Sequence, residues 1–84
     1  MKNRYKLISA TLRQSMLYPP QGAEYIGRLF ELVNIENGGC FLAVGENGER
    51  IRAEKIVDCI MEKERIYVTT PLVVYTFSRK IFGA

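Results

Sequence analysis

NGGCFLAVGENG, residues 37–48, is the stretch that decides the fold. It contains two Asn-Gly pairs, Asn37-Gly38 and Asn47-Gly48, on either side of the short apolar run at residues 40–44. Because Asn-Gly readily takes up the positive φ angles of tight two-residue hairpin turns, this stretch predicts strand, turn, strand, turn, strand over residues 24–56. A run this apolar is typical of a strand covered on both faces, or of one whose outer face meets a partner.

The segment from residue 65 to residue 77 gives the clearest strand signal outside that stretch. Ile66 and Val68 alternate with more polar neighbours, and residues 72–77 are dense in β-branched and aromatic side chains. Pro71 cannot donate to a strand ladder, so it predicts an edge, a bulge or a corner between two strands. Gly27, inside the apolar segment 24–35, predicts a bulge or a sharp bend.

Two segments are compatible with either a helix or a strand. Residues 4–17 carry an approximate helical stripe, but Ile8, Ala10 and Leu12 also alternate with polar residues, and we favour the strand. Residues 53–64 fit a helical period, which favours a short amphipathic helix. The alternative for this segment is a single helical turn around Glu54-Lys55, then a strand that ends at Met61, followed by a tight turn over residues 62–64.

These patterns together predict a mainly β fold (β or α+β). We expect a small, strongly curved antiparallel sheet, or an SH3-like or OB-like barrel, of five to six short strands, with one short helix around 53–64 under the helical interpretation of that segment. The length indicates a single domain over residues 1–84. Within it we expect a basic N-terminal segment (1–23) with a Pro-Pro connector, a β core (24–77) and a loose tail (78–84).

Composition and charge exclude several classes of protein. The formal net charge is +3, and the basic residues concentrate at the two ends of the chain around a mildly acidic middle. No run of 18 apolar residues is present, and the basic start lacks the apolar core of a signal peptide, so we expect no membrane span and a cytoplasmic location.

The chain is poorly supplied with catalytic and metal-binding residues. It has no histidine, a single aspartate (Asp58) and two cysteines, Cys40 and Cys59. Without histidine the commonest general base is missing, and two cysteines so spaced do not form the usual zinc patterns. The glycine-rich residues 45–48 precede neither a lysine-serine nor a lysine-threonine pair, so we interpret them as a hairpin turn. We therefore predict no enzymatic activity, no cofactor and no metal.

Nucleic-acid binding is one of two candidate functions. Small barrels bind single strands by stacking bases on exposed aromatic rings beside basic side chains. The residue types required are present, although a net charge of +3 is modest and tyrosines also favour strands for structural reasons. The candidate contacts are Lys2, Arg4, Lys6, Arg13, Arg50, Arg52, Tyr18, Tyr25 and Tyr67, with Arg79 and Lys80 as further cations.

Protein association is the candidate that we favour. A small sheet has edges that must be covered, and the apolar strands could present a face to a protein partner or to a second copy of the chain. For such an interaction face the sequence suggests Phe41, Leu72 and Val74, although the core is the first alternative for any of them. We expect a regulatory or adaptor module that acts by binding.

Overall fold

A computed structural model of the chain describes residues 3–14 and 17–80, and within those ranges the fold is built almost wholly of strands. The described elements are β1 (Tyr5–Leu12), a 3-10 helix (Ala23–Tyr25), β2 (Leu29–Asn34), β3 (Phe41–Gly45), β4 (Arg50–Ala53), β5 (Asp58–Met61), β6 (Arg65–Thr69) and β7 (Val73–Ser78). No helix in this part of the chain has the length and apolar character needed to cross a membrane.

All seven strands belong to one antiparallel sheet, in the order β4-β3-β2-β1-β7-β6-β5. The central strand is β1, which confirms the strand interpretation for residues 5–12 of the segment 4–17, while residues 15 and 16 lie outside the described residues. Its first residues, Tyr5 and Lys6, pair with β2, whereas Leu7 and residues 9–12 pair with β7. A register shift between Leu7 and Ser9 marks the bulge at which β1 passes from one half of the sheet to the other.

The expected mainly β, antiparallel fold is confirmed, but the expected strong curvature or closed barrel and the count of five to six strands are wrong. The sheet is open, and its two edges are β4 and β5, which follow each other in the chain. The linker between them, residues 54–57, forms backbone hydrogen bonds with other parts of the chain. Ile56 N–H donates to the Gly39 carbonyl (2.7 Å), Gly38 N–H donates to the Ile56 carbonyl (2.8 Å), and Val57 N–H donates to Thr69 (2.7 Å). With its backbone engaged in this way, the linker separates the two edges.

The helix predicted around 53–64 is also wrong, because this segment contains the linker and β5. The alternative is confirmed in its strand, which ends at Met61, and in its tight turn, across which Glu62 N–H donates to the Arg65 carbonyl (2.8 Å). Its single helical turn around residues 54–55 is wrong, because residues 54–57 form no helical turn. The apolar residues of segment 53–64 fit a helical period although the segment is not a helix, because β5 is an edge strand with apolar side chains on both faces. Ile60 and Met61 are on opposite faces of it and each is about half exposed.

Both Asn-Gly pairs lie in connections between neighbouring strands, but neither joins its strands as the expected two-residue hairpin. Asn37 and Gly38 are the central residues of a turn in which Gly39 N–H donates to the Glu36 carbonyl (3.0 Å), but the β2–β3 ladder already ends at Asn34 and Leu42. Only the glycines have positive φ, +83° at Gly38 and +86° at Gly48. In the β3–β4 connection Gly45 N–H donates to the Glu49 carbonyl (2.7 Å) and Gly48 N–H to the Gly45 carbonyl (3.2 Å), which is the pattern of a three-residue loop ending in a left-handed glycine. The bend predicted at Gly27 is a turn that precedes β2.

Side chains from both halves of the sheet meet in one core. Phe41 of β3 stacks on Tyr75 of β7, with ring centroids 5.4 Å apart, and Phe77 lies within 6.3 Å of Phe30. Eleven buried apolar residues form the cluster: Leu7, Phe30, Phe41, Ala43, Ile51, Ile56, Ile66, Val68, Val73, Tyr75 and Phe77. Burial of this apolar surface is the main term that stabilises the fold.

The apolar strand that decided the fold has two different faces. Phe41 and Ala43 point into the core, whereas Leu42 and Val44 are half-buried on the opposite face. The cross-strand partners of these two are Arg52 and Arg50. The aliphatic stems of such arginines can cover an apolar surface while their charges stay in water. The second face of β3 is therefore an outer surface bordered by arginines.

Candidate functional site

The corner between β6 and β7 is built around Thr70. This residue is 2% exposed, and its hydroxyl donates to the Val73 carbonyl (2.8 Å) and accepts a hydrogen bond from Val73 N–H (3.1 Å). The Thr70 backbone N–H also donates to the Val73 carbonyl (2.8 Å). Pro71 and Leu72 make up the turn, so the corner predicted at Pro71 is confirmed. The side chain of Leu72 is 58% exposed.

The chain that follows β1 holds this corner in place. Arg13 N–H donates to the Leu72 carbonyl (2.9 Å), and the Arg13 guanidinium donates to the Thr70 carbonyl (3.2 Å). Because the Thr70 hydroxyl takes the Val73 N–H, the Thr70 carbonyl is available to the arginine. The corner is thus fixed both from within and from the central strand.

Tyr75 anchors the segment that faces the corner. Its ring is 1% exposed, and its hydroxyl donates to the Gln21 carbonyl (2.8 Å). Burial, and secondarily the negative charge of Glu24, raises the pKa of Tyr75 to about 12. Gly22, which follows Gln21, has φ +90° and lies so close to the core that a Cβ there would be 2.9 Å from Ile51 Cδ1. Only glycine fits there without strain.

An apolar groove of about 330 Å³ lies between the corner and the anchored segment. We call it the corner groove, and it is lined by Leu12, Tyr18, Pro19, Pro20, Gln21, Arg52, Ala53, Glu54, Thr70, Pro71, Leu72, Val73 and Tyr75. Tyr18 is 74% exposed, and three prolines stiffen the walls. Arg52 and Glu54 are exposed at the groove, and neither has an ion-pair partner among residues 3–14 and 17–80.

The residues predicted to contact nucleic acid are not gathered on one face. Arg4 pairs with Glu46 (3.2 Å), Arg13 is engaged at the corner, and Tyr25 is half-buried against Phe30. The exposed Lys6 lies on β1 and the exposed Arg50 on β4, while the half-buried Tyr67 lies on β6. Lys2 lies outside the described residues. Tyr18 and Arg52 are the two members of the set that line the corner groove.

The three residues suggested for an interaction face also lie in different places. Phe41 is fully buried against Tyr75, so its prediction as part of an interaction face is wrong, because its whole side chain lies in the core. Val74 is half-buried on the face of β7 opposite Val73. Leu72 is exposed and lines the corner groove. The sequence did not single out Leu12, Ala53 or Thr70, because their place in the groove depends on pairings between distant segments.

The free edge of the sheet at β5 is partly blocked. The Asp58 carboxylate accepts a hydrogen bond from Cys59 N–H (2.9 Å). Hydrogen-bonded and non-hydrogen-bonded residue pairs alternate along an antiparallel ladder. Counted from the hydrogen-bonded pair Glu62–Arg65, Cys59 belongs to a non-hydrogen-bonded pair, so its backbone N–H points away from β6. A carboxylate on an edge amide, beside a charged turn, is a common way to discourage strand addition.

Two further titratable groups, the Cys59 thiol and the Glu49 carboxyl, have shifted pKa values. Burial, and secondarily the charge of Asp58, raises the pKa of the Cys59 thiol, which keeps it protonated and a poor nucleophile. Hydrogen bonds from its own backbone N–H and from Arg28 (2.9 Å) hold the pKa of Glu49 below its usual value. Within the described part of the chain, no three acidic or sulfur side chains are grouped as a metal site would require.

Comparison of the chain with protein-family models, with curated proteins and with solved structures found no match.

Proposed function

We propose that this chain is a non-enzymatic binding module, and that the corner groove accepts an extended apolar segment of a partner protein. The observation that carries the proposal is the groove itself, in which exposed apolar side chains surround a concave surface held in shape by hydrogen bonds from distant segments. Its volume of about 330 Å³ is at the small end of the range for binding sites, which suits a few side chains of a longer ligand.

The apolar surface of the groove supports a protein ligand. Tyr18 and Leu72 are 74% and 58% exposed, so a ligand that covers them removes apolar surface from water. Full burial of a leucine side chain stabilises a complex by roughly 1.5–3 kcal/mol. The stiff walls lower the ordering cost of binding, since prolines have little backbone freedom to lose.

The two charges at the groove supply orientation. Arg52 and Glu54 are exposed and lack ion-pair partners in the described ranges, so a segment with an acidic residue near Arg52 and a basic residue near Glu54 would bind in one direction. Exposed pairs of this kind contribute little affinity, but they discriminate between registers and between partners.

The side-chain chemistry supports a role without catalysis. The chain has no histidine, the raised pKa of the Cys59 thiol disfavours its nucleophilic form, and the Tyr75 hydroxyl is engaged with Gln21. The groove offers an apolar surface with few polar groups, which is the character of a recognition site.

A peptide-display selection tests the proposal. We expect the wild-type chain to select short peptides that share apolar residues with a charged residue beside them. Leu72→Asp should weaken the selected peptides by about tenfold or more, which corresponds to about 1.4 kcal/mol. Val33→Asp is the matched control, because Val33 is 54% exposed on β2 and does not line the groove.

Three outcomes would contradict the proposal. The first is that no peptide is enriched, and the second is that Val33→Asp weakens binding as much as Leu72→Asp. The third is that light scattering shows a wild-type dimer that Leu72→Asp dissociates, since the occupant of the groove would then be a second copy of the chain.

A further inference from the structure

A second depression, at the opposite end of the β6–β7 hairpin from the corner groove, is strongly basic. We call it the basic cleft. Its volume is about 400 Å³, and four of its seven lining residues are cations. The lining residues are Ile8, Lys63, Glu64, Arg65, Ser78, Arg79 and Lys80.

The fold brings these residues together across one hairpin. Arg65, the first residue of β6, pairs with Ser78, the last residue of β7. The Arg79 N–H donates to the Glu64 carbonyl (2.8 Å), and the Arg79 guanidinium donates to the Glu62 carbonyl (2.8 Å). These bonds tie the chain leaving β7 to the turn before β6, so the backbone beneath the cations is fixed.

Among the described residues, no acidic side chain neutralises the cations of the cleft. Within residues 3–14 and 17–80, none of its four cations forms an ion pair, and Glu64 is the one acidic residue in the lining. Arg4 and Arg28 elsewhere are paired with glutamates at 3.2 Å and 2.9 Å. Unneutralised cations that share one concave surface repel one another and favour an anionic ligand.

We propose that the basic cleft binds consecutive phosphates of a single-stranded nucleic acid, and that Tyr67 is the platform for an adjacent base. Ile66 is 2% exposed, so Arg65 and Tyr67 on either side of it share the outer face of β6. Two residues along a strand are separated by about 6.6 Å, so Tyr67, which does not itself line the cleft, lies one step further along the same face from Arg65. A ring beside cations is the combination by which single strands are bound, and stacking requires an unpaired base.

Fluorescence anisotropy with a labelled single-stranded oligonucleotide of about twelve nucleotides tests this proposal. With four phosphate contacts, affinity should fall by about 50-fold between about 50 mM and about 200 mM salt. The double variant Arg65→Ala/Lys80→Ala should bind more weakly, and its affinity should fall by only about 7-fold over the same range. Arg79 is left unchanged in this experiment because its guanidinium supports the turn.

The matched control removes the same charge elsewhere. Arg50 and Lys55 are exposed and line neither the basic cleft nor the corner groove, so Arg50→Ala/Lys55→Ala lowers the net charge equally without touching either site. We expect this control to keep the wild-type salt dependence. Tyr67→Leu should weaken the oligonucleotide by about 5-fold or more, while leaving the binding of inorganic triphosphate unchanged.

Four results would overturn the proposal. They are no binding at low salt, equal losses in the two double variants, tighter binding of a duplex of the same length, and an unchanged affinity in Tyr67→Leu. The last result, together with retained triphosphate binding, would indicate a ligand recognised by its phosphates alone, such as a phosphorylated peptide. Circular dichroism of each variant separates loss of binding from loss of fold.

Discussion

Replacement of Thr70 by valine is a sharp test of how the corner groove is held in shape. Valine has nearly the volume of threonine but no hydroxyl, so Thr70→Val removes the bond donated to the Val73 carbonyl (2.8 Å) and the bond accepted from Val73 N–H (3.1 Å). The Val73 carbonyl keeps the Thr70 N–H as a donor (2.8 Å). The Val73 N–H has no other partner among residues 3–14 and 17–80, and Val73 is 5% exposed.

The cost follows from that orphaned donor. A buried N–H without a partner costs about 1–3 kcal/mol, and the added methyl group returns part of this. We expect Thr70→Val to lower the free energy of unfolding by about 2 kcal/mol. For a domain of this size that corresponds to a fall in Tm of roughly 8–16 °C.

Urea denaturation followed by circular dichroism measures the change, with two controls. Thr70→Ser keeps the hydroxyl and loses one methyl group, so it should cost about 0.8 kcal/mol or less. Thr69→Val replaces a half-buried threonine on the opposite face of β6 and should change stability little. If Thr70→Val has the wild-type midpoint, or if Thr70→Ser is the less stable of the two, the hydroxyl does not hold the corner.

Two further predictions concern the segment that faces the corner. Gly22→Ala should destabilise the fold by more than Gly38→Ala. Both positions have positive φ, but only at Gly22 would the added Cβ press against Ile51. Equal urea midpoints of the two variants would contradict the close contact. Tyr75→Phe should be less stable than wild type at neutral pH, through loss of the bond to the Gln21 carbonyl. The folded-state pKa of Tyr75 is raised from 10.0 to about 12, so the unfolded chain releases this proton first as the pH rises. The stability that Tyr75 contributes is therefore present below pH 10 and is lost between pH 10 and pH 12. The difference in the free energy of unfolding between wild type and Tyr75→Phe should shrink over that range, and a constant difference would refute the linkage.

The parts of the fold that local patterns predict are those in which one face of a strand is buried. In β6 and β7 the buried Ile66, Val68 and Tyr75 alternate with less buried residues, and this period of two is visible in the sequence. It is not visible in β5, where Ile60 and Met61 are both half exposed at an edge. The type of turn at Asn47-Gly48 was equally hidden, because the hydrogen bond between Gly45 and Glu49 selects a three-residue loop.

The candidate sites were predictable residue by residue but not as groups. Tyr18, Arg52 and Leu72 were named from their residue types, yet they meet because Tyr75 anchors Gln21 and Arg13 anchors Leu72, and these partners are more than 50 residues apart. Lys63 and Arg65 were missed because glutamates alternate with them in the sequence. A hairpin centred on Pro71-Leu72 would have brought them opposite Arg79 and Lys80, since the two pairs lie at similar distances from that turn.

The two proposed sites occupy opposite ends of the same strand, and this placement separates their effects. β6 is five residues long, about 17 Å, with the corner groove beyond Thr69 and the basic cleft at Arg65. Substitutions that far apart without shared partners usually act additively. Leu72→Asp should therefore leave oligonucleotide binding intact, and Arg65→Ala/Lys80→Ala should leave peptide binding intact. If either change abolished both activities, damage to the β6–β7 hairpin would explain the losses better than two separate surfaces.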